Sequence, residues 1–250
     1  MYDFDAAMAP NDRLWALVRD RLRAVGVDAP DALTRGTGAY WPAWEAPGLL
    51  LSQTCGYPFR ARLVGRVTYV GTADYGVEGC APGYYRSVFV ARADDPRGDL
   101  TAFDGAGFAY NEALSQSGWA APQTHVAKLG LRLPPVLQTG GHRLSAHAVA
   151  EGRAEIAALD AVTWALLQDE DPVVQSLRVV GMTEPTPGLP FITALGGPAD
   201  LLHAALAEAI AALPAADRAT LHLRGIVRIP QADYLAVPNP PEPQALHPVT

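Results

Sequence analysis

The fold of this chain is decided by the stretch Tyr110-Asn111-Glu112-Ala113-Leu114-Ser115-Gln116-Ser117-Gly118-Trp119, where an apolar strand ends and a helix begins. The first N–H groups of a helix have no intrahelical partners, and the helix dipole places partial positive charge beside them. Two serine hydroxyls and a glycine at such a corner favour a binding site for an anion. The alternative interpretation is that Ser115 only caps its own helix.

Short apolar runs alternate with helical patterns on both sides of this corner. The alternation predicts an α/β fold with mixed, mainly parallel sheets. Runs of strand length occur at residues 48–52, 66–70, 87–91, 107–110, 136–139, 155–159, 177–180 and 191–194. Helical spacing of apolar residues occurs at residues 11–25, 117–128, 144–151, 162–168 and 201–213, with Asn11 as the expected cap of the first helix.

Two polar, proline-containing segments predict crossings between two lobes. They are residues 92–99 and residues 184–190. If both are crossings, residues 1–92 with 188–250 form lobe 1 and residues 93–187 form lobe 2. We expect a ligand cleft between the lobes. The proline-rich tail, residues 237–250, is expected to pack as an irregular arm or to fray.

Composition excludes several classes of function. The 250 residues carry a net charge of −7, and the 19 cationic side chains are scattered, so a nucleic-acid partner is not expected. No apolar run reaches the roughly 20 residues needed to span a bilayer, so membrane insertion is not expected either. The start of the chain lacks the pattern of a secretory signal, which favours a cytoplasmic location if Met1 is the true start.

The two cysteines, Cys55 and Cys80, lie in loops that each follow a strand-like run. A disulfide between them is possible in an oxidising compartment, and free thiols are the alternative. Neither cysteine has the clustered partners that a zinc site needs, so no metal or cofactor is expected.

Polar groups gather in loops that would converge at one end of such a fold. The first lobe contributes residues 52–57 and 84–87, and the second contributes residues 115–118, residues 139–143 and Asp160. The second-lobe groups follow predicted strands, and parallel sheets bind ligands at the carboxyl ends of their strands.

The ordered set of these motifs resembles the phosphate/phosphite/phosphonate-binding subunits of ABC transporters, which are type II periplasmic binding proteins. The motifs are Leu-Ser-Gln-Thr-Cys-Gly-Tyr-Pro from Leu51, Tyr-Tyr-Arg-Ser-Val from Tyr84, Ser-Gln-Ser-Gly from Ser115, Gly-His at Gly141, and Asp160. The likeness runs from about Leu49 to Thr193. It implies a two-lobe clamshell, a small anionic ligand, an ABC permease as partner, a periplasmic location, a monomer and no catalysis.

The resemblance also implies a set of ligand contacts. The oxyanion would be held by Ser115, Gln116 and Ser117, where Gln116 replaces the threonine common at that position and changes the size of the pocket. Tyr85, Gln53, Thr54 and Tyr57 would complete the site from the other loops. His142 and Asp160 would face the rest of the ligand; the alternatives are that His142 bonds the backbone and that Asp160 caps the helix beginning near Val162.

Two other functions stay open at this point. The same bilobal fold hosts enzymes acting on small anionic or phosphorylated substrates, with His142 as the base available to Ser115 or Ser117. The chain contains no nucleophile elbow, zinc-protease motif or phosphate loop to favour that alternative. A cytoplasmic ligand sensor is the other alternative.

Overall fold

A computed structural model describes residues 2–243 of the protein. Its helices are α1 (Asp5–Ala24), α2 (Trp41–Trp44), α3 (Gly56–Pro58), α4 (Ala121–Lys128), α5 (His142–Ala150), α6 (Ala161–Glu170), α7 (Ala199–Ala212), α8 (Ala215–Thr220) and α9 (Gln231–Leu235). Short 3-10 helices span Gly36–Ala39, Leu100–Phe103 and Pro172–Ser176, and wider π-helical turns span Phe59–Leu63 and Gln116–Ala120.

The strands are β1 (Ser52–Gln53), β2 (Val67–Asp74), β3 (Tyr84–Tyr85), β4 (Ser87–Arg92), β5 (Phe108–Tyr110), β6 (Pro135–Gln138), β7 (Ile156–Asp160), β8 (Leu177–Met182), β9 (Thr186–Pro187), β10 (Pro190–Ala194) and β11 (Gly225–Val227). The short strands β3, β9 and β11 carry too few residues for a periodic pattern, so the sequence did not predict them.

The chain divides into two compact units. Unit 1 contains residues 2–84 together with Pro187–Ala236, and unit 2 contains Tyr85–Thr186 together with residues 237–243 of the tail. The chain therefore passes from unit 1 to unit 2 within β3 and returns within β9.

The first crossing lies eight residues or more before the segment 92–99 in which the sequence predicted it. That segment belongs to unit 2, where Arg97 pairs with Asp95 at 2.6 Å and with Glu155 at 2.9 Å. The guanidinium of Arg178 donates to the carbonyls of Asp95 and Gly98. Polar, turn-forming residues thus fold this segment into an ion-paired loop, because each charge finds a partner within the same unit.

The tail was predicted to belong to lobe 1, but the contacts of its described residues, 237–243, group it with unit 2. The indole N–H of Trp119 donates to the carbonyl of Pro241 at 3.0 Å. Residues 244–250 of the predicted arm lie outside the described residues.

Unit 1 is built on an antiparallel sheet in the order β1-β10-β2-β11. Helices α1 and α7 contribute Trp15, Val18, Leu22, Leu202 and Leu206 to a common apolar cluster with this sheet. Helix α1 begins six residues before the predicted cap. Asn11 instead donates its side-chain amide to the carbonyl of Tyr2 at 2.9 Å.

Unit 2 contains a five-stranded sheet in the order β6-β5-β7-β4-β8. Strands β6, β5 and β7 are parallel, whereas β4 runs antiparallel to both β7 and β8. The predicted α/β fold with mixed sheets is confirmed. The prediction that the sheets are mainly parallel needs correction, because β4 follows β3 with no intervening helix and enters the sheet in the opposite direction.

The direction of these strands brings polar residues to one end of the sheet, where several strands terminate. Strands β5, β6 and β7 end there at Tyr110, Gln138 and Asp160. Ser87, the first residue of β4, pairs in register with Asp160. The residue after β8, Thr183, donates its N–H to the carbonyl of Ser87 at 2.9 Å. The predicted gathering of second-lobe groups at the carboxyl ends of parallel strands is therefore observed within unit 2.

Cys55 is buried and Cys80 is partly buried, and no disulfide joins them. Among residues 2–243 there is no helix both long and apolar enough to cross a membrane.

Candidate functional site

The helix that follows β5 begins with a cap and a wide turn. The Ser115 hydroxyl accepts the N–H of Gly118 at 3.0 Å, so the capping role considered for Ser115 is present. The N–H of Ala120 donates to the carbonyl of Ser115, five residues back, at 2.9 Å. This π-helical turn, Gln116–Ala120, continues directly into α4. π-Helical turns are frequent at functional sites. Here the turn places the Ser117 hydroxyl among the first N–H groups of the helix.

Ser117 is linked to Asp160 through the imidazole of His142. The Ser117 Oγ lies 2.8 Å from Nε2 of His142, the first residue of α5. The same Nε2 lies 3.4 Å from Oδ2 of Asp160, at the end of β7. The side chains of His142 and Asp160 are only 13% and 4% exposed, so this is a buried polar cluster.

Burial lowers the pKa of His142, although the Asp160 carboxylate and the Ala158 carbonyl act in the opposite direction. The imidazole is therefore neutral near pH 7 and carries one N–H. When that proton is on Nε2, it faces two acceptors, the Ser117 hydroxyl oxygen and the Asp160 carboxylate. Ser117 then keeps its own proton to donate to an anion.

Asp160 fills the capping role that the sequence left open for it. Its Oδ1 accepts the N–H of Thr163 at 2.9 Å and its Oδ2 accepts the Thr163 hydroxyl at 2.5 Å. The helix it caps, α6, begins at Ala161. Asp160 approaches the imidazole nitrogen that also contacts Ser117. In a catalytic triad the carboxylate bonds the other ring nitrogen, so these three residues do not form that arrangement.

Gln116 is 1% exposed. Its side-chain amide donates to the hydroxyl of Thr186 at 3.3 Å. The long side chain is thus bonded to β9, within unit 2.

Tyr85, the remaining predicted site residue of unit 2, is 2% exposed within β3. The motif that identified it, Tyr-Tyr-Arg-Ser, also contains a residue that the sequence analysis did not select. Ser87 donates its hydroxyl to the carbonyl of Ser117 at 2.8 Å. The signal for Ser87 was its place within this motif, at the start of a predicted strand.

Asn111 is also a site residue that the sequence did not predict, although it lies in the stretch Tyr110–Trp119. A Cβ atom added to Gly118 would lie 1.9 Å from Asn111 Oδ1. The carboxamide of Asn111 therefore packs directly against Gly118, and only glycine leaves room for it. Its Oδ1 is buried with no hydrogen-bond partner among the described residues.

The predicted site residues of unit 1 form a separate group around β1. The Gln53 amide donates to the hydroxyl of Tyr75 at 3.1 Å. Thr54 is fully buried, and its hydroxyl has no hydrogen-bond partner among residues 2–243. Tyr57 is 5% exposed, with the guanidinium of Arg60 4.6 Å from its ring centre.

Unit 1 also contains a cavity of about 490 Å³ formed by the loop after β2. It is lined by Asp74, Gly76, Val77, Glu78, Gly79, Cys80, Pro82 and Arg224. None of the predicted ligand-binding residues lines it.

Residues 59–234 of the chain match a protein family described as the periplasmic phosphonate-binding, substrate-binding protein of ABC transporters. No curated protein matches the chain by sequence.

Solved structures share the fold at low sequence identity. XAC2383 from Xanthomonas citri, solved with ATP, has a TM-score of 0.69 and 18% identity, with 92% of each chain covered. PhnD1 from Prochlorococcus marinus, solved with methylphosphonate, has a TM-score of 0.68 and 14% identity, covering 91% of this chain and 90% of that one. The binding protein of an ABC phosphonate transporter from Pseudomonas aeruginosa has a TM-score of 0.63 and 16% identity, covering 86% and 75%.

Proposed function

Since the chain belongs to the family of phosphonate-binding, periplasmic substrate-binding proteins of ABC transporters, we propose that the turn Ser115–Gly118 holds the oxyanion of its ligand. The family makes the protein a phosphonate-binding component of an ABC transporter. We propose that its ligand is a small phosphonate, phosphate or phosphite. We further propose that it works in the periplasm and delivers this ligand to an ABC permease.

One observation carries the assignment of the turn. Ser117 lies in the first turn of the helix, and its hydroxyl oxygen is 2.8 Å from an imidazole nitrogen that burial keeps neutral. The donors at this corner are hydroxyl and backbone N–H groups, and hydrogen bonds from such groups to an anion are strong. Positions fixed before the ligand arrives reduce the ordering cost of binding.

Gln116 supports a particular size for the ligand. Because its amide is bonded to Thr186, it fills space beside the turn that a threonine would leave open. We propose that this favours a compact oxyanion. The methylphosphonate bound by the Prochlorococcus protein is a ligand of that size.

The remaining contacts stay predictions. Tyr85, Gln53, Thr54 and Tyr57 are proposed to complete the site, as the resemblance implies. His142 is proposed to act on the ligand through Ser117, whose hydroxyl it contacts, and Asp160 is proposed to act through His142, whose Nε2 it approaches. A ligand cleft between the lobes and a monomeric state are likewise proposed.

Titration calorimetry with methylphosphonate, phosphite and inorganic phosphate tests this function. We expect saturable binding of at least one of them, with sulfate and acetate as comparison anions. The same ligand should raise the melting temperature, since a ligand at 100 times its Kd stabilises the native state by about 2.7 kcal/mol. Absence of heat and of a thermal shift with all three phosphorus compounds would refute the proposal.

A further inference from the structure

The π-helical series of backbone hydrogen bonds at the proposed oxyanion site is interrupted at the carbonyl of Ser117. Ala120 and Ala121 donate their N–H groups to the carbonyls of Ser115 and Gln116, each five residues back. The next bond of this series would run from residue 122 to the carbonyl of Ser117. Residue 122 is proline, which has no N–H.

The hydroxyl of Ser87 supplies the missing donor. Its Oγ lies 2.8 Å from the Ser117 carbonyl oxygen, and Ser87 is 1% exposed, so water cannot take its place. A carbonyl buried at this depth needs a hydrogen-bond donor, since leaving it unpaired costs about 1–3 kcal/mol.

Ser87 is itself held in place by Thr183. The N–H of Ser87 donates to the Thr183 hydroxyl at 3.0 Å, and the carbonyl of Ser87 accepts the N–H of Thr183 at 2.9 Å. Thr183 is 4% exposed. The hydroxyl of Ser87 therefore acts from a fixed backbone.

We propose that Ser87 is a positioning residue for oxyanion binding: it fixes the peptide of Ser117, and thereby the direction of the Ser117 hydroxyl and of the N–H groups beside it. Ser117 is held at two points, its carbonyl by Ser87 and its hydroxyl by His142. Without Ser87 the peptide turns to find another donor, and the binding groups leave the geometry that an anion requires. This inference rests on the proposed function of the turn.

The test compares Ser87→Ala, Ser87→Cys and a control, Thr193→Val. Thr193 is 1% exposed, and its hydroxyl donates to the Leu49 carbonyl in unit 1, so the control also removes a buried hydroxyl from a carbonyl. Calorimetry with methylphosphonate and inorganic phosphate at 15 °C gives the Kd of each variant. We expect binding about 5- to 30-fold weaker in Ser87→Ala, an intermediate loss in Ser87→Cys because a thiol is a weaker donor, and less than a twofold change in the control.

A second measurement reports the geometry directly. The carbonyl ¹³C shift of Ser117 and the amide shift of Gly118 should move in Ser87→Ala without ligand and stay unchanged in Thr193→Val. If Ser87→Ala does not fold, the Kd and the chemical shifts of Ser117 and Gly118 are measured in Ser87→Cys and Thr183→Val instead.

The outcomes separate this inference from the proposed function. If the wild-type protein binds and Ser87→Ala binds equally well, the inference is wrong while the function stands. An equal loss in Thr193→Val would also overturn it, because the effect would then follow general stability. If the wild-type protein binds none of the phosphorus compounds, the proposed function fails and the inference fails with it.

Discussion

The Ser117 hydroxyl and the Asp160 carboxylate approach the same imidazole nitrogen of His142, at 2.8 Å and 3.4 Å. A single N–H on that nitrogen can serve both oxygens, which leaves the serine proton for a ligand. The arrangement suits a residue that binds an anion when the imidazole proton is on Nε2, because the serine hydroxyl then keeps its own proton for the ligand.

Ser117→Ala should weaken oxyanion binding by about 1–3 kcal/mol, because an oxygen of the buried anion loses its donor. Titration with the best phosphorus ligand measures this loss. Thr193→Val serves as the control, since it removes a buried hydroxyl from unit 1. An unchanged Kd in Ser117→Ala would remove this residue from the site.

His142 should make the free energy of unfolding depend on pH. Burial lowers its pKa in the folded protein, so the unfolded chain takes up a proton at a higher pH than the folded chain does. Below the ordinary imidazole pKa, about 6.5, the unfolded state therefore binds more protons and stability falls as the pH decreases. Urea unfolding from pH 7.5 to 5 should show a steeper loss for wild type than for His142→Gln. Parallel curves for the two proteins would contradict this assignment.

Gly118→Ala should destabilise unit 2 and weaken ligand binding. The added Cβ would lie 1.9 Å from Asn111 Oδ1 and 3.2 Å from His142 Cε1, so the carboxamide and the imidazole would have to move. Overpacking of this kind costs about 1–3 kcal/mol. Gly98→Ala is the matched control, because nothing lies within 4 Å of its added Cβ. Melting temperatures and Kd values of both variants test the contrast, and equal behaviour would show that the turn tolerates a side chain.

The loop containing Asp95 and Arg97 should behave as a rigid part of unit 2. Hydrogen bonding from Arg97 lowers the pKa of Asp95 to about 2. A carboxyl group with a lowered folded pKa stabilises the protein above its unfolded pKa of about 3.9, and this stability is lost as the pH falls toward 2.

We therefore expect Asp95→Asn to lower the free energy of unfolding by about 1–2 kcal/mol at pH 7 and by much less at pH 2.5. The comparison variant is Asp94→Asn, whose side chain is 81% exposed and pairs with Arg92 at the surface. It should change stability by less than about 0.5 kcal/mol at either pH. A loss in Asp95→Asn that is the same at both pH values would exclude the ion pair as its cause.

The local elements of this protein were predictable because their signals lie in neighbouring residues. Short apolar runs predicted β4, β5 and β7 to within one or two residues of their ends, and apolar spacing near 3.6 residues predicted α6 and α7 similarly. Capping chemistry, which acts over three residues, pointed to Ser115 and offered the cap as an alternative for Asp160, and both caps are present.

The direction of the strands and the points where the chain changes unit were not predictable in this way. A short crossing such as Tyr84–Tyr85 has no periodicity, whereas the charged loop at residues 92–99 looked like a linker. Arg97 pairs with Asp95, two residues away, and with Glu155, which is distant in the sequence. The pairing with Glu155 leaves no mark in local composition.

By itself the sequence determined where most of the longer strands and helices form and which corner places serine hydroxyls at the start of a helix, because these properties depend on residues a few positions apart. Only the tertiary structure decided what surrounds Ser117. Ser87 and Thr183 are 96 residues apart, and Ser117 and His142 are 25 apart. They meet because β5, β6, β7 and β8 end, and β4 begins, at the same end of one sheet.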